Sequence, residues 1–149
     1  MAPITIRPFQ PADQQAAKAL ILAGLTAHWG RLDPTKNPDL DNIAASYAGA
    51  TFLVAYREDD LIATGALVPL SPTTAEIKRM SVAATYQRQG IGRLLLDHLL
   101  TQGRAAGYRT IQLETTATWQ QAIRFYQKAG FALTHFANGD AYFQLDLAQ

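Results

Sequence analysis

Hydrophobic and polar positions divide this chain into short segments whose apolar period switches between two residues and roughly 3.6. Ile4 to Phe9 alternates and ends between Pro8 and Pro11, which predicts a first strand. Pro11-Ala12-Asp13 opens a helix, with Asp13 as its N-cap and Ala17, Leu20, Ile21 and Leu25 as its apolar stripe. His28 to Asp41 is polar and rich in Pro and Asp, so it reads as a loop. A short helix follows near Leu40 to Tyr47. Phe52–Tyr56 and Leu61–Val68 flank the charged turn Glu58-Asp59-Asp60 and predict an antiparallel hairpin. In Ala75 to Ala83 the apolar phase changes, because Ile77 is out of step with Met80 and Val82. A one-residue bulge between Ile77 and Met80 restores a common face.

Gly90 to Arg104 reads as a helix. Ile91, Leu94, Leu95, Leu96, Leu99 and Leu100 form its buried face, and Arg93, Asp97, Thr101 and Arg104 lie opposite. Gly103 and Gly107 read as stop signals. Thr110–Glu114 is the next strand. Trp119 to Lys128 is a second amphipathic helix with Ala122, Ile123 and Tyr126 on one face, closed by Gly130. Phe131–Phe136 and Ala141–Leu147 surround Asn138-Gly139-Asp140, a strong hairpin cue. The order β-α-α-β-β-β-α-β-α-β-β predicts an α/β fold. The β-α-β unit from Ala75 to Glu114 implies a parallel strand pair joined by a right-handed crossover.

Composition narrows the function classes. A length of 149 residues, 48% of them hydrophobic, fits one domain over residues 1–149 with a sizeable core. With no cysteine, the chain makes no disulfide, thiolate metal site or cysteine nucleophile. A formal charge of +1 gives no basic stripe, so nucleic acid is not the expected partner. His28 and His135 lack partners at metal-ligand spacing and His98 reads as a packing or surface residue of the long helix, so no metal is expected. The first seven residues lack a signal-peptide core, and no apolar run approaches the roughly 18 residues of a membrane span. The expectation is a cytoplasmic protein that avoids membranes, as a monomer or homodimer.

The stretch that carries chemistry is Gln87-Arg88-Gln89-Gly90-Ile91-Gly92-Arg93, between a strand and a strongly patterned helix. Two glycines one residue apart let backbone pass close to a ligand. The helix start leaves N–H groups unpaired and carries a positive partial charge, which together suit a phosphate. Arg88 and Arg93 flank the turn and can add charge-assisted hydrogen bonds. The spacing matches neither a Rossmann fingerprint nor a Walker A loop.

Gln-x-x-Gly-x-Gly after a strand resembles the pyrophosphate signature of the GNAT acetyltransferase superfamily, here Gln87, Gly90 and Gly92. Glu76 to Val82 looks like the family's bulged fourth strand. Ala122 to Phe131 looks like its Ala-x-x-x-Tyr-x-x-x-Gly-Phe helix and exit. The resemblance implies a single GNAT-type domain: a mixed, mostly antiparallel sheet with one splayed parallel pair and helices on both faces. It implies acetyl-CoA as cosubstrate, bound between the splayed strands. Backbone groups of Met80 and Val82 would pair with the pantetheine arm, and the amides of Arg88, Gln89, Gly90, Ile91, Gly92 and Arg93 would hold the pyrophosphate. One position departs from the family pattern: Trp119 stands where many members carry a cofactor-contacting Asn, and Gln120 or Gln121 are possible substitutes.

Acetyl transfer to an amine requires a neutral amine, a stabilised oxyanion and a proton for the leaving thiolate. The resemblance assigns the proton to Tyr126, against a plain packing role. For the base, Glu76 is the first candidate and Glu114 the rival. A salt bridge from Glu76 to Lys78 or Arg79, with bulk water as the base, is the bland alternative. His28 and Trp29 lie in the region that shapes the acceptor pocket in the family, and Asp33, Asp39 and Asp41 offer negative charge nearby. The expected activity is acetyl transfer to the primary amine of a small molecule by direct attack in a ternary complex. A peptide N-terminus, a lysine side chain and a non-catalytic acyl-CoA-binding role stay open.

Overall fold

A computed structural model of the chain describes residues 2–30 and 36–147. The strands are β1 (Ile4–Pro8), β2 (Thr51–Arg57), β3 (Asp60–Pro69), β4 (Thr74–Val82), β5 (Thr110–Thr116), β6 (Ala132–Ala137) and β7 (Asp140–Asp146). They form one sheet in the order β1-β2-β3-β4-β5-β7-β6. Every neighbouring pair is antiparallel except β4–β5. The helices are α1 (Gln14–Trp29), α2 (Ile43–Ser46), α3 (Ile91–Ala105) and α4 (Gln120–Lys128).

Each face of the sheet has its own apolar cluster. Ala17, Ile21, Leu40 and Ile43 cover Phe52, Val54 and Ala66 on the α1/α2 face. Leu95, Leu96, Leu99 and Ile123 cover Leu53, Leu67, Ile77 and Ile111 on the other. Strands covered on both faces lose their alternation, which is why β2 and β3 read as nearly continuous apolar runs. Leu95, Leu96 and Leu99 are fully buried, each contributing about 1.5–3 kcal/mol of transfer free energy.

Four sequence expectations change. α1 continues through His28 to Trp29 and ends at Gly30 (φ 82°), so His28 is helical rather than part of a loop. Asp13 does not cap α1 with its side chain. It is buried and receives both Arg7 guanidinium nitrogens at 2.8 and 2.9 Å, the Tyr56 hydroxyl at 2.6 Å and the Gln10 amide at 2.8 Å. A buried carboxylate needs that many donors more than a helix end needs a cap. Gly103 is not a stop signal. It lies inside α3, where an added Cβ would sit 3.4 Å from Leu67 and 3.6 Å from Ile111, so it lets the helix approach the sheet. Leu94 is 41% exposed, because the face of α3 turned to the sheet is narrower than the apolar pattern.

Candidate active site

β4 and β5 pair at only three positions: Thr74 with Thr110, Ala75 with Ile111, and Glu76 with Gln112. Both strands continue, β4 to Val82 and β5 to Thr116, while β7 holds the far side of β5 along its whole length. The pair therefore opens into a V-shaped slot with Glu76 and Gln112 at its apex. β4 diverges at a bulge. Its register against β3 jumps from Ala66–Lys78 to Thr64–Ser81, leaving Arg79 and Met80 opposite Gly65. This is the bulge that the phase change between Ile77 and Met80 demanded. Arg79 takes a left-handed φ of 56°, and its carbonyl accepts from the Thr64 hydroxyl at 2.7 Å. A Cβ on Gly65 would lie 2.6 Å from Met80 Sδ, so glycine there makes room for the bulged residue.

At the open end of β4 the chain makes the Gln87–Gly92 turn. Arg88 (φ 64°) and Gly90 (φ 81°) are both left-handed. The Gln87 side-chain amide donates to the Val82 carbonyl at 3.2 Å and ties the turn to the end of β4. Leu94 makes the first helical bond, to the Gly90 carbonyl at 3.0 Å. Among the described residues no acceptor takes the backbone N–H groups of Arg88, Gln89, Gly90, Ile91, Gly92 or Arg93. Six donors at the positive end of a 15-residue helix suit an anion. Gly92 packs 3.4 Å from Val82 and 3.5 Å from the Phe125 ring, counted from where its Cβ would lie. The Arg93 side chain turns away from the turn, to Asp97 at 3.0 Å and the Lys128 carbonyl at 3.5 Å. Of the two flanking arginines, Arg88 alone keeps an exposed side chain clear of such contacts among the described residues.

Glu76 points to the α1/α2 face of the slot, in register with Val68 and Gln112. Its side chain is 18% exposed and lies 3.7 Å from Lys78. Burial first, and Glu114 second, push its pKa above the usual carboxylate range, while Lys78 opposes them. The salt-bridge alternative for Glu76 is thus present as a long contact, with Lys78 rather than Arg79. Glu114 is exposed on the same face and in register with Tyr142, whose phenol is pushed up by the neighbouring Glu114 carboxylate. His135 stacks on Tyr142 with ring centroids 4.5 Å apart.

Tyr126 is on the opposite face, between Phe125, Phe131 and Phe143. Burial pushes its phenol well above the ordinary value. The hydroxyl has no protein partner among the described residues. No buried side-chain oxygen among them is sealed without one, so this hydroxyl opens onto accessible space. The two candidate proton carriers thus stand on opposite faces of the sheet.

Two constellations lie beyond sequence reasoning. The His28 and Trp119 rings stack at 4.3 Å and 8°. Gly24 of α1 meets Ser81 near the end of β4, and Trp119 follows β5, so the stack crosses the open end of the slot. Trp29 is 54% exposed beside it. Arg79 grips Asp39 with two bonds, at 2.9 and 2.6 Å. Asp41 pairs with Lys18 at 2.7 Å, so both described aspartates of that segment are neutralised; Asp33 lies outside the described residues. Gln120 and Gln121 sit in the first turn of α4. No three His, Asp or Glu side chains among the described residues converge as metal ligands, and no described helix is long and apolar enough to cross a membrane.

Comparison with known proteins places this geometry. A family model described as the acetyltransferase (GNAT) family matches residues 16–131. The IAA acetyltransferase of Azospirillum brasilense is 33% identical over 120 residues, covering 79% of this chain and 78% of its own length. The uncharacterized N-acetyltransferase YsnE of Bacillus subtilis is 34% identical over 83 residues, covering 54% of this chain. Those residues span 55% of YsnE's length. The PaiA N-acetyltransferase of Thermoplasma acidophilum, solved in complex with coenzyme A, superimposes with a TM-score of 0.85 at 20% identity, covering 97% of this chain and 99% of that one.

Proposed function

The chain belongs to the acetyltransferase (GNAT) family, and we propose that it transfers an acetyl group from acetyl-CoA to the primary amine of a small molecule. The observation that carries this reading is the divergence of β4 from β5 beyond Glu76 and Gln112, leading to a helix start with six unclaimed amides. A pyrophosphate fits those amides, and the backbone of Met80 and Val82 lines the way from turn to apex. A relative of the same fold is solved with coenzyme A.

In the proposed mechanism the amine nitrogen attacks the thioester carbonyl carbon directly. The C–N bond forms, the C–S bond breaks, and no acyl-enzyme intervenes. Glu76 accepts the proton that the amine must lose. Its raised pKa makes it a better base than an ordinary carboxylate. Tyr126 donates a proton to the departing sulfur and recovers one from solvent. Because burial raises its pKa, the phenol still holds that proton at neutral pH. Glu114 and Glu76 share one face and draw a cationic amine toward the apex. His28 and Trp29 shape the rim where the acceptor enters.

Calorimetric titration with acetyl-CoA, with CoA and ATP as controls, tests the reading. Saturable binding of acetyl-CoA and CoA but not ATP is the expected result, followed by a screen of small amines against peptide substrates. Absence of binding by folded protein would remove the basis of the proposal.

A further inference from the structure

We propose that Arg79 is a positioning residue that couples the Asn37–Tyr47 segment to the cosubstrate-binding edge of β4. The inference rests on the acetyl-CoA reading, because it assigns that edge its ligand.

The coupling has a defined path. Arg79 sits in the bulge with a left-handed backbone, a conformation that non-glycine residues adopt only when contacts hold them there. Two contacts hold it there. The buried Thr64 hydroxyl donates to its carbonyl at 2.7 Å. Its guanidinium forks onto Asp39, Nε to Oδ2 at 2.9 Å and Nη2 to Oδ1 at 2.6 Å, and Nη2 also reaches Asn37 Oδ1 at 3.1 Å. The Tyr47 hydroxyl donates to Asp39 Oδ2 at 2.6 Å and completes the carboxylate's shell. The Arg79 and Asp39 side chains are only 19% and 28% exposed, so solvent screens this pair less than a surface ion pair.

The far end of the path is stiff. Leu40 and Ile43 are fully buried under α1. Gln14 clasps the segment from both sides, donating to the Leu40 carbonyl at 2.7 Å and accepting from the Ile43 amide at 2.9 Å. A stiff segment moves with Asp39 rather than absorbing its displacement. The near end is the bulge itself, whose next residue, Met80, contributes backbone to the slot. A shift of the bulge peptide when a ligand pairs with β4 therefore displaces the guanidinium and the segment it grips. Linkage makes the effect reciprocal.

Hydrogen exchange read by mass spectrometry, with and without saturating acetyl-CoA, tests this in the wild type, Arg79→Gly and Asp39→Asn. Glycine suits the left-handed backbone while removing the guanidinium. Asparagine keeps the shape of Asp39 and an acceptor for Tyr47 while removing the charge. Thermal unfolding of each variant is measured first. In the wild type, acetyl-CoA is expected to slow exchange in 87–94, and in 37–47 by about fivefold or more. Both variants are expected to keep the protection of 87–94 and to lose that of 37–47. A wild type protected in 87–94 but not in 37–47 overturns the coupling, and so does protection of 37–47 that persists in both variants. A wild type unprotected in 87–94 overturns the acetyl-CoA reading itself and takes the coupling with it.

Discussion

The imidazole of His28 lies flat on the indole of Trp119, with 4.3 Å between centroids and 8° between planes. This contact joins the last turn of α1 to the residue before α4, across the open end of the slot. An aromatic pair contributes about 0.5–1.5 kcal/mol beyond burial. His28→Ala is therefore expected to raise the acceptor KM by roughly 2–10-fold, with turnover at saturation nearly unchanged. Steady-state kinetics with the best amine of the screen checks it. A loss confined to turnover would place His28 in the chemistry instead.

Tyr126→Phe removes a hydroxyl and leaves the ring among Phe125, Phe131 and Phe143. Turnover is expected to fall by about 10²-fold or more, with acetyl-CoA affinity within twofold of wild type. Since burial raises this phenol, the alkaline limb of the wild-type rate profile should not begin below the ordinary tyrosine range, about 10. Unchanged turnover would reduce Tyr126 to a packing residue.

Glu76 acts as a base only when ionised, so activity is expected to fall as pH drops through its pKa. Burial and the Glu114 charge raise that pKa, and Lys78 lowers it. Glu114→Gln removes a like charge and should move the acid limb of kcat/KM to lower pH. Lys78→Met should move it to higher pH. Opposite movements identify Glu76 as the titrating group; an acid limb fixed in both variants assigns it elsewhere.

Gly65 and Gly90 fail differently when substituted. At Gly65 a Cβ meets Met80 Sδ at 2.6 Å and Leu99 at 3.0 Å, so alanine must displace the bulge. Gly65→Ala is expected to cost about 1–3 kcal/mol and to weaken acetyl-CoA binding. At Gly90 no atom lies within 4 Å of a Cβ, and the penalty is conformational, about 1 kcal/mol for alanine at φ 81°. Urea unfolding alongside calorimetry separates clash from strain.

Asp13 tests the fold away from the slot. Burial alone would raise its pKa, but Arg7, Tyr56 and the Gln10 amide outweigh burial and hold it at about 2. A depressed carboxylate stabilises the fold above its unfolded pKa, about 3.9, and loses that contribution as pH falls toward 2. Linkage puts the contribution at about 2–3 kcal/mol. Asp13→Asn should be less stable than wild type at pH 7, and the difference should shrink on acidification. A constant difference across pH would assign the effect to packing.

Local pattern made much of this legible. The bulge in β4 follows from the phase of Ile77 against Met80 and Val82, and the tight turn before α3 from Gln87, Gly90 and Gly92. Asn138-Gly139 marked a hairpin that both residues complete with positive φ, 54° and 83°. The misses are contacts between distant positions. Nothing near Asp39 announces Arg79, forty residues on. The stretch from His28 reads as loop although α1 keeps His28 and Trp29, because a helix end facing solvent has no apolar stripe to extend. Asp13 stands where a cap would, and only the fold brings Arg7 and Tyr56 to it. Trp119 stands out in the sequence as a departure from a motif, while nothing local pairs it with His28.

The seam between β4 and β5 closes over three residue pairs and then stops. Beyond it the sheet carries two inward edges whose polar groups look to a bound molecule for completion. On the proposed reading, acetyl-CoA lying there would act as a missing strand and become part of what holds the two halves of the sheet together. By mass action, a hundredfold excess over its dissociation constant adds about 2.7 kcal/mol to folding. The protein's resistance to heat and proteolysis would then follow the supply of activated acetyl groups, making its lifetime a readout of the metabolite it consumes.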